Sequence, residues 1–393
     1  MTGERRRPRI LLAGASIVSA ALAAYELAPA SVTPLIRDSL GVGPSAAGML
    51  VGVMFGTAVV VSLPAGAVLD RTNSRTVTVA AVGLLLLAGL WGWRAASASA
   101  FPSLLASRVL GGIAYIFVWN AAIDIVGRAF PADRQATAVA AFTASGPIGF
   151  ALGQAGSPVI AAAVGWPFIF PAFAGLAVVG LVPFWIGSSG LGYASEGAAP
   201  SVADFRAVVT KRAVWLVAGL GFLAYALYLF VNSWGPSYMT DELGLSLGAS
   251  GLVVALFPAV GVVSRAGGGI LSDRVFEGRR RPVLLGAFLV STPIVAVFTH
   301  LPGLPVVIAA LLLAGFSIQL CLGLAFAYVR ELVDPAVAAT AVAFLTGVGL
   351  AGAFLSPIVG GFVIDTAGYD LAFGLAGALG GVGVALAWYA PEP

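Results

Sequence analysis

The sequence predicts an all-α membrane protein: twelve transmembrane helices in two pseudo-symmetric six-helix bundles. Three observations predict it. The 393-residue chain is 60% hydrophobic and only 9% charged, with mean hydropathy +1.01. Its apolar runs reach the roughly 20 residues that carry a helix across the hydrocarbon core. Its two halves also match when the chain is slid by 203 residues.

Each observation excludes alternatives. A soluble domain carries roughly 25% charged residues, so this composition leaves too little polar surface for a fold in water. Backbone groups in lipid must be bonded within their own segment, which favours helices. The alternating pattern of a membrane β-barrel is absent. At the offset of 203, Gly48 falls on Gly251, Gly66 on Gly269, and Asp70-Arg71 on Asp273-Arg274. The same offset lays Ala136–Ala140 on the identical ATAVA of Ala339–Ala343. One offset serving two distant segments means a duplicated unit, an architecture of secondary transporters.

The spans follow in order at 10–30, 46–69, 76–96, 103–127, 136–162 and 167–187, then 213–233, 248–271, 282–300, 303–329, 337–364 and 371–390. Clusters of turn residues and charge separate them. The first bundle is therefore expected over 1–187 and the second over 213–393. Residues 188–212, rich in Gly, Ser and Ala, form a cytoplasmic linker with a short surface helix around Val202–Val209. With the N-terminus inside, sixteen basic residues fall in cytoplasmic segments and only Arg37 and Arg94 outside. This is a positive-inside bias. It predicts a multi-pass protein of the cytoplasmic membrane with both termini inside. It also accounts for the pI near 9.2 without any nucleic-acid partner. The Arg5–Arg9 run reads as a topology determinant rather than a cleaved leader.

Catalytic and cofactor signals are missing. Cys321 lies mid-span and His300 at an outer helix end, and no cluster has metal-ligand spacing. No Gly-rich loop opens into a phosphate-binding lysine, so no ATPase engine is expected. No cofactor, metal or enzymatic activity is predicted.

After span two the chain reads Gly66-Ala67-Val68-Leu69-Asp70-Arg71-Thr72-Asn73-Ser74-Arg75. After span eight it reads Gly269-Ile270-Leu271-Ser272-Asp273-Arg274, followed by Gly278-Arg279-Arg280-Arg281. Both resemble the signature loop of the major facilitator superfamily, G-x-x-x-D-R-x-G-R-R/K. Asn73 and Ser74 depart from it, and the second copy carries extra residues. The glycines, Gly66 and Gly269, are expected to let two helices approach closely. Asp70 is expected to face the start of span eleven near Pro335, and Asp273 to mirror it against span five near Arg134. The resemblance implies that Gly66, Asp70, Arg71, Arg75, Asp124, Gly269, Asp273 and Arg274 form a gating motif, with Asp124 joining Arg71 and Arg75. Arg108-Val109-Leu110-Gly111-Gly112 is similar to the family's R-x-x-x-G pattern. Gly146-Pro147-Ile148-Gly149 is similar to its antiporter pattern, or else simply bends the helix.

The resemblance also implies that spans one, four, seven and ten line a central cavity. Ionisable groups inside a bilayer are costly and usually face such a cavity. Glu26 lies about 6 Å and Arg108 about 8 Å below the outer helix ends by helical rise. Their similar depth predicts a Glu26–Arg108 pair, either a static buried ion pair or a proton switch. Arg265 lies about 12 Å into span eight, and Ser62 is its repeat partner. It is a candidate anion anchor or a snorkelling arginine. In span seven, Tyr225, Tyr228 and Asn232 share one helical face, while Trp234 is a candidate interfacial anchor. Asn120, Trp119, Gln154, Gln319 and Tyr328 complete the polar candidates. The Tyr-rich span seven resembles organic-anion and sugar-phosphate permeases, and Arg265 half-matches the nitrate/nitrite branch.

The expected function is a secondary transporter, acting as a monomer, that moves a small polar and possibly anionic solute by rocking its bundles about a midplane site. Proton coupling through Glu26 is the leading mechanism. Multidrug efflux is the alternative reading, and a transporter-like solute sensor is a further one.

Overall fold

The computed structural model describes residues 7–69, 71–190 and 202–392. Asp70 and the middle of the predicted linker, 191–201, lie outside the described residues. Among the described residues the secondary structure is entirely helical.

Turn chemistry decides where each helix stops. Helix α1 (Arg7–Leu27) is followed by a one-turn 3-10 segment and by α2 (Thr33–Leu40), which Gly41 ends at φ 63°. Helix α3 (Pro44–Leu69) starts on a proline, whose missing N–H costs nothing in a first turn. Asn73 caps α4 (Ser74–Ser97) by accepting from the Arg75 amide at 2.9 Å. Then come α5 (Phe101–Ala129), α6 (Ala132–Thr143), α7 (Ser145–Val164) and α8 (Ile169–Gly187). After α9 (Val202–Val209), the order continues with α10 (Arg212–Asp241), α11 (Leu247–Ala259), α12 (Gly261–Val275), α13 (Arg281–Ala296), α14 (Gly303–Glu331) and α15 (Ala338–Tyr389).

Ten helical runs are long and apolar enough to cross a membrane, and α13 is a shorter apolar helix. The run containing α15 holds two spans, because Gly368 at φ 81° and ψ 177° breaks its helical geometry. The chain thus carries the twelve spans predicted.

Three departures have physical causes. Predicted span five is two helices, α6 and α7, meeting at Ala144. Pro147 then sits at the third position of α7, where no helical N–H is needed. Predicted span eight also divides, at Val260, two residues after Pro258. Helix α10 runs eight residues beyond the predicted 233, through Pro236, because its far end is buried. Trp234 is therefore no interfacial anchor: it is buried, and its indole N–H donates to the Pro357 carbonyl at 3.0 Å.

The chain divides into two compact units. The first comprises Met1–Val42, Val53–Ala199 and Ser246–Ala255. At its centre α1 packs against α5, α7 and α8. Leu11, Ala15, Ala122, Ile125, Val126, Phe142 and Phe184 form a core cluster there. The second comprises Gly43–Gly52, Pro200–Leu245 and Leu256–Pro393, with α10 packed along α15. Large apolar side chains such as Val60, Val179, Val263 and Phe362 are exposed. In lipid that exposure carries no penalty, whereas a soluble monomer would bury them.

Candidate functional site

In the first unit the geometry centres on the C-terminal end of α1. The last carbonyls of a helix have no partner within it. Arg108 of α5, fully buried, donates to two of them: to the Tyr25 carbonyl at 2.9 Å and the Glu26 carbonyl at 2.6 Å. Its guanidinium carbon lies 4.6 Å from the Tyr25 ring centroid and 5.6 Å from that of Phe170. The carbonyl end of α1 attracts a cation, and the rings add cation–π attraction. A Cβ at Gly111 would press on the Tyr25 ring, which is why a glycine follows Arg108 by three.

This corrects the predicted Glu26–Arg108 ion pair. The two residues are neighbours, but the guanidinium caps backbone carbonyls. Among the described residues the Glu26 carboxyl forms no ion pair, and its buried Oε1 has no hydrogen-bond partner. Asn120 and Trp119 are half-buried on α5, the Trp119 ring 5.4 Å from Phe142. Gln154 of α7 is fully buried.

In the second unit α10 and α12 bring polar groups together. Tyr228 and Asn232 are buried, and Tyr225 is half-buried. The Tyr228 ring stacks on Phe257 of α11 at 5.6 Å and 25°. Asn232 donates its amide to the Tyr228 carbonyl at 2.8 Å. The half-buried Arg265 of α12 holds its guanidinium carbon 5.8 Å from the Tyr228 ring centroid, and its buried Nε has no hydrogen-bond partner. A Cβ at Gly323 of α14 would collide with the Arg265 backbone, so a glycine there lets α14 support α12 at this level.

Gln319 occupies the break between α11 and α12. Its Nε2 donates to the Phe257 carbonyl at 3.0 Å and the Pro258 carbonyl at 3.3 Å. The break frees these carbonyls, and buried carbonyls need donors. Both amide hydrogens of Gln319 are thereby used on backbone. Tyr328 donates its hydroxyl to the Pro391 carbonyl, tying the chain's end to α14.

The predicted gating residues have partners other than those expected. Asp124 pairs with Arg128 at 2.5 Å and accepts from Ser74 Oγ at 2.5 Å, rather than joining Arg71 and Arg75. One turn along a helix favours Asp124–Arg128. Arg75 instead stacks 3.4 Å above the Trp185 ring and donates to the Trp185 carbonyl at 3.2 Å. Asp273 pairs with Arg280 at 2.5 Å, and Arg134 with Asp133 at 3.6 Å. Arg280 also forks onto Glu331, with Nε 3.0 Å from Oε2 and a terminal nitrogen 2.7 Å from Oε1. The Glu331 hydrogen bonds hold the Arg280 guanidinium above its ordinary value, slightly opposed by burial. Arg71 and Arg274 are exposed.

The glycines give a second correction. An added Cβ at Gly66 or Gly269 would meet nothing within 4 Å, so neither permits a close helix approach here. The repeat-matched glycines at the other ends of the same predicted spans, Gly48 and Gly251, do. A Cβ at Gly48 would strike the Pro357 carbonyl oxygen, and one at Gly251 the Gln154 carbonyl oxygen. Gln154 and Pro357 are themselves related by the offset of 203. The duplication is thus written into backbone packing as well as into residue identity.

A family model described as Major Facilitator Superfamily matches residues 11–355 and 236–393. The chain belongs to the major facilitator superfamily. It is 27% identical to a probable sulfoacetate transporter of Cupriavidus necator, over 89% of this chain and 86% of that one. It is 24% identical to a hexuronate transporter of Bacillus subtilis, over 88% and 86% respectively. The fold matches that of a bacterial homologue of the human lysosomal transporter Spinster, crystallised in an inward-facing, unoccupied conformation. That match has TM-score 0.80 at 17% identity and covers 98% of this chain and 96% of the other. This superfamily member is a multi-pass membrane protein and a secondary transporter of small polar solutes.

Among the described residues no three His, Cys, Asp or Glu side chains could hold a metal ion. Several partners escaped the sequence reading: Tyr25 beneath Arg108, Phe257 beneath Tyr228, Trp185 beneath Arg75, and Glu331 against Arg280. Tyr25 carried a signal, since it precedes Glu26 directly. The others lie far from their partners in sequence, and no spacing rule connects them.

Proposed function

We propose that this transporter carries a small organic acid, a carboxylate or sulfonate, with Arg265 as its anion anchor. One observation carries the reading: Arg265 stands half-buried in a membrane-spanning helix, beside Tyr228, with its Nε hydrogen unused. An arginine presents a planar fork that matches carboxylate and sulfonate oxygens. Tyr228 and Tyr225 supply aromatic surface beside it, and Asn232 lies one turn beyond Tyr228. The fully buried Arg108 donates to the Tyr25 and Glu26 carbonyls at the end of α1. Transporters named for sulfoacetate and hexuronate among the relatives support an acidic solute.

Glu26 is the coupling acid in this proposal. Its carboxyl lies beside the Arg108 cap without an ion pair, so it can take up or release a proton without breaking one. The repeats over 1–187 and 213–393 act as the halves of an alternating-access carrier, joined by 188–212. The protein works as a monomer with both termini in the cytoplasm, and it performs no covalent chemistry on its solute.

The test is uptake into proteoliposomes of labelled hexuronate and sulfoacetate under an imposed proton gradient. Arg265→Gln is expected to abolish saturable uptake, and Arg265→Lys to retain a weaker one, because lysine keeps the charge but not the fork. Unchanged uptake in Arg265→Gln would refute the anion anchor. Gradient-driven accumulation retained in Glu26→Gln would refute the coupling role.

A further inference from the structure

The second unit holds a groove of about 480 Å³ along α10 and both arms of α15. Phe222, Ala226 and Phe230 of α10, Gly352 and Val359 of the first α15 arm, and Ala376 of the second are among its walls. Small residues deepen it, and phenylalanines close its back. The one hydroxyl on its lining, that of Ser356, is spent on the Ala226 carbonyl at 2.6 Å. A polar solute would find no donor or acceptor there, whereas an alkyl chain would lose nothing by entering.

The length of the groove points to what fills it. Its lining on the first α15 arm runs from Gly352 to Val363, a rise of about 16 Å. That is about half of a 30 Å hydrocarbon core, the depth of one leaflet. At this end the lining stops at Val363 and Ala372, each two residues from an exposed aspartate, Asp365 and Asp370, that flank the Gly368 break. Tyr369 between them donates its hydroxyl to Asp241 at 2.8 Å, so three carboxylates make this end of both arms acidic. An anionic headgroup would be repelled there and an ammonium attracted.

We propose that this groove is a lipid site: it takes one acyl chain of a phospholipid whose amine headgroup, as in phosphatidylethanolamine, lies against Asp365 and Asp370. The site is separate from the Arg265 cluster and is chemically unsuited to the transported solute.

Native mass spectrometry of the purified full-length protein, given equimolar phosphatidylethanolamine and phosphatidylglycerol with matched chains, tests this. The wild type is expected to retain one bound lipid and to favour the amine headgroup roughly three- to tenfold, as two exposed carboxylates allow. Ala378→Trp places a ring in the groove from an exposed lining position and should remove the bound lipid while leaving the protein monodisperse. Leu379→Trp, also exposed, serves if that variant is not monodisperse. D365N/D370N should keep the lipid but lose the headgroup preference. Lipid retained undiminished by both tryptophan variants would overturn the proposal, as would equal or greater wild-type uptake of phosphatidylglycerol.

Discussion

Arg108 and Glu26 offer a decisive double-mutant cycle. Arg108→Met keeps much of the volume and removes two charge-assisted hydrogen bonds to the Tyr25 and Glu26 carbonyls. Each is worth about 1.5–3 kcal/mol, so the loss should be about 3–6 kcal/mol. The cation–π contact with Tyr25 would add a further 0.5–2 kcal/mol, roughly. Glu26→Gln should cost under about 1 kcal/mol, because the carboxyl has no ion pair to lose. Breaking a buried pair would instead cost about 3–5 kcal/mol from either side. The cycle Arg108→Met, Glu26→Gln and the double variant, followed by reversible unfolding in mixed micelles, should therefore give a coupling energy below about 2 kcal/mol, that of neighbouring groups without a shared ion pair. A coupling of about 3 kcal/mol or more would refute the helix-end cap and restore the ion pair.

Gly48→Ala and Gly251→Ala should each destabilise by about 1–3 kcal/mol, as overpacking against an unyielding backbone does. Gly66→Ala and Gly269→Ala should be neutral or stabilise by roughly 0.5–1 kcal/mol through helix propensity; the same unfolding assay ranks all four. Gln319→Leu leaves the Phe257 and Pro258 carbonyls without their donor and should cost about 1–3 kcal/mol, visible as a lower unfolding midpoint. Glu331→Gln breaks the fork on Arg280, whose side chain is 13% exposed, and should cost about 1–2 kcal/mol. Half a molar salt should shrink that difference, since the network lies outside the membrane.

Much of the fold could be read from the sequence because a bilayer imposes one rule on every segment. Apolar runs of span length must become helices, and a repeated offset must become a repeated bundle. Gly303 and Gly368 adopt positive φ at helix boundaries, as turn glycines do. The failures are equally physical. Span seven, expected to end at 233, continues through Pro236 to Asp241, because burial of Trp234 and its neighbours outweighs one missing backbone bond. The site was legible as a set of residue types and illegible as a set of partners. Arg108 could be recognised as costly in a membrane, but the sequence could not say that a helix end would answer it. Gln319 could be recognised as a polar group to be satisfied, but the carbonyls it satisfies are open only because the helix breaks at Val260.

The sequence alone determined the class: helical, duplicated, twelve-span and basic at its loops. These follow from composition and period, which act segment by segment. Tertiary structure decided which glycines touch backbone, which cation caps α1 rather than pairing with Glu26, and which aromatic ring lies beneath each arginine. Those are choices among neighbours far apart in the chain. They depend on where a carbonyl is left without its own donor, and that is fixed only when helices pack.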